Sequence, residues 1–243
     1  IVSRQPFGGI KDSSFGFGMK AGGPNYLLQL GSFENASEFE RNGDHPIKEK
    51  LVALAKSFVP ILDFREIDKL ERALSSYSHW YTTYFSKEHT LAKILGQDNT
   101  MIYLPKKSFH CLLTEKDTLT DILMVIGGLI IASIPCTIGF DPKLFDLFKS
   151  FLTEYPHITV VSRKSLIDTL KKQSSFRIRA ITEPDMEFLD EIKKNSNGVI
   201  IRKPHVLGRL ELLIYFQEKV FSYNYHRYGN LLDRETENRD QIN

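Results

Sequence analysis

Cysteine is nearly absent: Cys111 and Cys136 are the only two in 243 residues. Two thiols make no disulfide framework, so a reducing compartment, the cytoplasm, is the default expectation. An excess of one charge is also missing. Lys and Arg number 32 against 30 Asp and Glu, a net +2. No basic run interleaves with aromatics, so nucleic acid is not an expected partner. The most apolar run, Ile122 to Cys136, has 15 residues, short of the roughly 20 a membrane span needs. Two glycines and a proline interrupt it, and it predicts a buried helix leading into a buried strand. No secretory signal pattern is visible. The seven histidines show no metal-ligand spacing.

What the sequence has in excess is glycine at its start. Six glycines fall between Gly8 and Gly23, and with Pro6 and Pro24 they exclude a regular helix up to about Gln29. The polar stretch 31–46 follows, with Gly and Pro at its ends, and reads as a linker. Residues 47–98 read as helical. Leu51, Leu54, Ala55 and Phe58 share one spacing, and Ile67, Leu70, Leu74, Tyr77, Tyr81 and Tyr84 another. Asp63 with Glu66 three residues on is a capping box. Trp80 and its neighbouring tyrosines form an aromatic face best explained by core packing.

From about Asn99 the pattern alternates. MIYLP, CTIGF, HITVVS, FRIRAITE and GVIIRKP read as strands. Leu119–Ser133, the helix opened by Pro142, LIDTLKK and DMEFLDEIKKN read as the helices between them. Short connections between alternating strands and helices predict an α/β fold, a Rossmann-like parallel sheet with helices on both faces, over 99–206. In the terminal segment, 207–243, a helix is expected to about Lys219. A strand carrying Phe221, Tyr223 and Tyr225 should follow, then a polar tail.

Nucleotide binding by such a domain would require a glycine-rich turn after its first strand. With MIYLP as that strand, the turn is KKSFHCLLTEKDT, which has no glycine. Gly127 and Gly128 fall mid-helix and read as close-packing positions. Gly16, Gly18 and Lys20 look like part of a phosphate loop, but no strand leads into them. His110 beside Cys111 could activate a thiol. Neighbours on an extended segment point to opposite faces, however, so both cysteines read as structural. The cluster His226, Arg227, Tyr228, Gly229, Asn230 is dense, polar and aromatic, and its glycine suggests a turn. Residue logic alone reaches a Rossmann-like domain with a glycine-rich leader.

Three stretches add a resemblance. RQPFGG with KAGGPNYLLQL resembles the closing motif of an aldehyde dehydrogenase, and KAGGPNYL resembles the glutamate-semialdehyde (pyrroline-5-carboxylate) dehydrogenase module of bifunctional proline utilization A flavoenzymes. SYSHWYTTYFSKEHTLAKILGQDNTMIYLP resembles the start of the extra C-terminal domain in the long members of that family. GRLELLIYFQEKVFSYNYHRYGNL resembles their terminal motif.

The resemblance implies a parent with an FAD-dependent proline dehydrogenase barrel and an NAD-dependent aldehyde dehydrogenase module. Its C-terminal domain would have an aldehyde-dehydrogenase-like, degenerate nucleotide fold that helps cover the tunnel between active sites. This chain would be a C-terminal fragment beginning inside a motif, with 1–30 a remnant of the catalytic module. Neither cysteine sits in a nucleophile motif, so no catalytic residue is expected. No cofactor is expected in the chain itself, whereas NAD and FAD belong to the parent. Phe7 matches a substrate-contacting aromatic wall, and His226, Arg227, Tyr228, Gly229 and Asn230 would help seal the tunnel. Ser13-Ser14-Phe15-Gly16-Phe17-Gly18 departs from the family's shorter Ser-Gly loop. The expected partners are the remaining modules of the parent, with a homodimer allowed. Without the parent, residues 1 to about 45 would be poorly ordered. A stand-alone small-ligand module and a remnant without function stay open as alternatives.

Overall fold

The computed structural model describes residues 5–9, 19–33, 43–58, 63–107, 109–193 and 197–237. They form two units that interleave along the chain. One draws on residues 1–33, 83–104 and 216–243, the other on 34–82 and 105–215.

The second unit is built on a five-stranded parallel sheet, as expected. Its strands are β3 (Phe109–Leu113), β4 (Cys136–Phe140), β5 (Ile158–Ser162), β6 (Ser175–Ala180) and β7 (Asn197–Ile201), in the order β5-β4-β3-β6-β7. Between them run α3 (Leu119–Ile131), α4 (Pro142–Leu152), α5 (Arg163–Leu170) and α6 (Met186–Lys193), preceded by α1 (Ile47–Phe58) and α2 (Phe64–Trp80). The caps follow the sequence. Asp63 accepts from Arg65 N, Thr118 from Asp121 N and Ser162 from Ser165 N, and Pro142 opens α4.

The pleat divides the core into two layers. Leu112, Ile178 and Ala180 face Leu166, Leu170, Phe188 and Ile192 of α5 and α6. On the other face Phe140 stacks on Phe148 of α4, and Phe109 meets Tyr215 edge-on. Gly127 and Gly128 do lie at close approaches. A Cβ on Gly127 would come within 2.2 Å of Leu74, and one on Gly128 within 3.3 Å of Tyr215. Each fully buried Leu, Ile or Phe of these layers contributes about 1.5–3 kcal/mol.

The first unit holds a three-stranded sheet, order β1-β2-β8, of β1 (His89–Ile94), β2 (Gln97–Pro105) and β8 (Phe216–Asn224). Gly96, at φ +90°, turns the antiparallel β1–β2 hairpin. Several expectations are corrected here. MIYLP is the end of β2 and not the first strand of the parallel sheet. That strand is FHCLL, read above as part of a turn. β1 lies inside the stretch read as helical, where α2 ends at Trp80 and gives way to one π-helical turn, Tyr81–Phe85. The terminal helix does not reach Lys219. α7 (Gly208–Glu211) and a 3-10 turn to Tyr215 pass into β8 at Phe216. In β8, Phe216 stacks on Phe85 at 5.1 Å, and Ser222 bonds Asn99 of β2 at 2.9 Å.

The leader also differs from expectation where it is described. Asn25, fully buried, donates to the Tyr103 hydroxyl at 2.7 Å and to Glu218 at 2.6 Å. Glu218 also accepts from Lys20 N, and Gln5 donates to Ser222 at 2.7 Å. These bonds fasten 5–9 and 19–33 to β2 and β8. Residues 10–18, with the Ser-Phe-Gly departure, and 34–42 of the linker lie outside the described residues.

Candidate functional site

In a doubly wound sheet the ligand crevice opens at the carboxyl ends of the strands where the crossovers diverge. Here β4 and β5 lie on one side of β3, and β6 and β7 on the other, so the crevice falls between the loops after β3 and β6. The turn after β3 is Thr114 to Thr118, TEKDT, and it too has no glycine.

A carboxylate occupies this crevice. Asp117, 9% exposed, accepts from Thr114 N at 2.7 Å and the Thr114 hydroxyl at 3.2 Å through one oxygen. Its other oxygen accepts from Thr182 N at 3.0 Å and the Thr182 hydroxyl at 2.8 Å. The Thr114 and Thr182 donors on the two sides of the crevice are therefore already used. The N-terminus of α3, where a phosphate would be stabilised by the helix dipole, carries its own cap in Thr118. It also carries a second carboxylate, Asp121, paired with Lys69 at 2.6 Å. Sequence reading missed Asp117 because an acidic residue in a polar turn reads as solvated.

A groove of about 870 Å³ lies beside the carboxyl ends of β4 and β5, between α4, α5 and α6. Phe140, Phe145 and Phe188 supply its apolar surface. Arg163 crosses it, bonded to Asp141 at 3.4 Å and to Asp185, with its guanidinium 5.6 Å from the Phe188 ring centre. Burial lowers the Arg163 pKa, but the two carboxylates more than offset that and hold it above the ordinary value. Asp185 is held below its ordinary value, first by the Phe188 N–H and then by Arg163. Lys171 pairs with Glu191 across the same groove.

Of the residues nominated from sequence, His226 to Asn230 form one tight turn, and Phe7 lies on a separate element. Arg227 and Asn230 exchange two backbone bonds of 2.9 Å. Tyr228 and Gly229 between them have φ of 51° and 85°. Two central residues at positive φ make this a type I′ hairpin turn, the turn its glycine suggested. Tyr228 is 97% exposed, with the Arg227 guanidinium 5.8 Å from its ring. The His226 ring lies over Gly96, whose added Cβ would come within 2.8 Å.

The residue that anchors this segment is Tyr225, one position before the nominated cluster. Its hydroxyl accepts from Gly96 N at 2.9 Å and donates to Glu237 at 2.5 Å. Arg234 lies 4.3 Å over its ring and bonds Asp98 at 3.0 Å. Phe7, 48% exposed, donates its N–H to Ala21 O at 2.9 Å and packs across Gly22, at φ +74°.

His110 and Cys111 do point to opposite faces. His110 meets Gln173, while the buried Cys111 sulfur lies 3.6 Å from that of Cys136. Burial and the neighbouring thiol raise Cys136 well above the ordinary thiol value, which favours the unreactive thiol form. Among the described residues, no group of three His, Cys, Asp or Glu is placed to hold a metal ion. Among the same residues, no helix is long and apolar enough to cross a membrane.

Comparison with known proteins bears on the fold. No family model and no curated protein matches the chain. Among solved structures, Proline Utilization A (PutA) from Corynebacterium freiburgense aligns over 94% of this chain at 24% identity, with a TM-score of 0.61. The chain has a PutA-like fold. It spans 20% of that PutA chain. Succinic semialdehyde dehydrogenase from Streptococcus pyogenes, in complex with NADP+, aligns over 63% of this chain and 36% of its own, at 11% identity and a TM-score of 0.42. Betaine aldehyde dehydrogenase from Staphylococcus aureus, in complex with NAD+, aligns over 63% and 33%, at 9% identity and a TM-score of 0.42.

Proposed function

We propose that this chain is the C-terminal portion of a bifunctional proline-catabolic oxidoreductase, and that it does no chemistry of its own. It covers the passage by which the semialdehyde moves between the two active sites. The observation that supports this most is the PutA likeness over 94% of the chain, in a sequence that also resembles the family's closing and terminal motifs. NAD and FAD belong to the other modules on this reading. A pyrophosphate does not fit the crevice of the five-stranded unit, because the Asp117 carboxylate takes up its donors and would repel a second anion.

The surface supports a packing role. Eleven of the fourteen large exposed apolar side chains among the described residues belong to the three-stranded unit, including Leu27, Leu30, Tyr223 and Tyr228. Apolar surface gathered in this way marks contact with other protein.

Two measurements test the proposal. The gene should continue in frame upstream into the barrel and the catalytic module, and an upstream region without them contradicts it. In that parent, removal of residues 47–243, which leaves the 1–30 remnant of the catalytic module in place, should lengthen the lag before NADH forms from proline and let free semialdehyde be trapped. An unchanged lag contradicts the covering role. The 870 Å³ groove favours one second reading, a module that binds a small ligand. Saturable heat on titrating the purified chain with glutamate, NAD or FAD would favour that reading instead.

A further inference from the structure

The covering role makes no use of the groove of about 870 Å³ between α4, α5 and α6. Phe140 and Ser162, the last residues of β4 and β5, line it. α4 packs on one face of the sheet and α5 and α6 on the other, so the walls come from both. Its apolar surface is supplied by half-buried Phe145 and Ile167, together with Phe140 and Phe188.

The charge of this groove is lopsided. Five carboxylates line it against three cations, a net −2. Most of them settle one another. Arg163 pairs with Asp141 and Asp185, and Lys171 with Glu191. Lys164 and Asp168, four apart on α5, offset one another. Two carboxylates are left over, Asp146 of α4 and Glu187 of α6. Both are exposed, and neither has an ion-pair partner among the described residues. The groove also holds a cationic group already. The Arg163 guanidinium lies 5.6 Å from the Phe188 ring centre while bonded to its two carboxylates, so ring and carboxylate act on it together.

We propose that the groove binds an aliphatic polyamine, with ammonium groups on Asp146 and Glu187 and the methylene stem across Phe145 and Ile167. Two unpaired carboxylates call for two positive charges, and the apolar surface calls for a carbon chain to cover it. A bare metal ion would leave that surface wet, and no group of three His, Cys, Asp or Glu among the described residues is placed to hold one. A dicarboxylate or a dinucleotide would add negative charge to a groove already short of cations. The N-termini of α4 and α6 would favour an anion, but Asp141 and Asp185 already stand there. The inference gives a ligand class to the small-ligand reading of this groove, and it holds whether or not the chain covers a passage in a larger parent.

The test is calorimetric titration of the full chain at low ionic strength, with spermidine as the probe. Saturable heat is expected, and added salt should weaken it. n-Butylamine has one ammonium group and should bind more weakly. Asp146→Asn and Glu187→Gln each remove one exposed charge and should leave the fold intact by circular dichroism. Each should weaken spermidine about two- to fivefold, and the double variant by the product of the two factors. Asp190→Asn removes an exposed charge of α6 outside the groove and should leave the affinity unchanged, which separates the site from the general field of the surface. No saturable heat with spermidine overturns the proposal. So does n-butylamine binding as tightly, or Asp190→Asn weakening spermidine as much as Glu187→Gln. Saturable binding of glutamate in place of spermidine overturns the charge argument and leaves the groove to an anion.

Discussion

Arg179 and Glu211 are both fully buried and bonded at 2.7 Å in the five-stranded unit. Glu211 is the hub of this cluster. One oxygen accepts from Arg179 and from the Tyr215 hydroxyl at 2.5 Å, and the other from His205 N at 2.9 Å. Arg179 also donates to the carbonyls of Arg202 and Lys203. Burial lowers the Arg179 pKa, but Glu211 more than offsets this, so the net shift is upward and the guanidinium stays charged. In Glu211→Gln the shape remains while one acceptor becomes a donor and the arginine charge loses its counterion. Breaking a fully buried pair from one side costs about 3–5 kcal/mol. That is a large share of the roughly 5–15 kcal/mol holding a domain together. At about 2–4 °C per kcal/mol, the melting midpoint should fall by roughly 6–20 °C. Urea and thermal denaturation of the chain, followed by circular dichroism, measure this directly. The double variant Arg179→Met with Glu211→Leu should recover most of the loss, because replacing both ions with apolar groups is often neutral or better. A single Glu211→Gln variant within about 0.5 kcal/mol of the parent would refute the reasoning, since it would mean that water reaches the pair.

Other perturbations have equally definite expectations. Burial lowers the pKa of His45, His110, His157 and His205. A depressed folded value gives stability that is complete above the unfolded value near 6.5 and lost as pH falls through the folded one. Urea midpoints should therefore drop between about pH 6.5 and 5, and a flat profile would contradict this. Burial, then Glu211, raises Tyr77 and Tyr215 well above the ordinary value. Their contribution is whole below about pH 10 and lost at higher pH, so spectrophotometric titration should find two tyrosines that ionise only on unfolding. Tyr228→Asn suits the left-handed turn position better than Tyr and should stabilise by about 0.5–1 kcal/mol. The same variant in an intact parent should weaken semialdehyde transfer, and unchanged transfer would contradict a sealing role. Gly96→Ala meets both a φ of +90° and the His226 ring and should cost about 1–3 kcal/mol in thermal denaturation.

The parallel sheet was legible because each of β4, β5 and β6 is short and followed by an amphipathic helix. β3 was not legible as the first strand, because MIYLP immediately before it has the same composition. Only long-range pairing separates them: Cys111 registers with Ile138 and Arg179, while Met101 pairs with His89. The terminal helix overran for a related reason. LELLIYFQEKV has helical spacing, but its second half is taken into the ladder with β2. Of the nominated residues, the turn at 227–230 was visible through Gly229. Asp117 was invisible, since its carboxylate gains meaning from Thr182, far along the chain. Buried Glu218 was hidden inside the expected helix, and Asn25 inside the loop-like leader.

The most direct test of the central claim is calorimetric titration of the purified chain with NAD. With Asp117 bonded to the crevice donors, no saturable heat is expected. Stoichiometric binding, together with NADH formation from glutamate semialdehyde by these 243 residues, would contradict the claim that the chain contributes structure and leaves the chemistry to other modules.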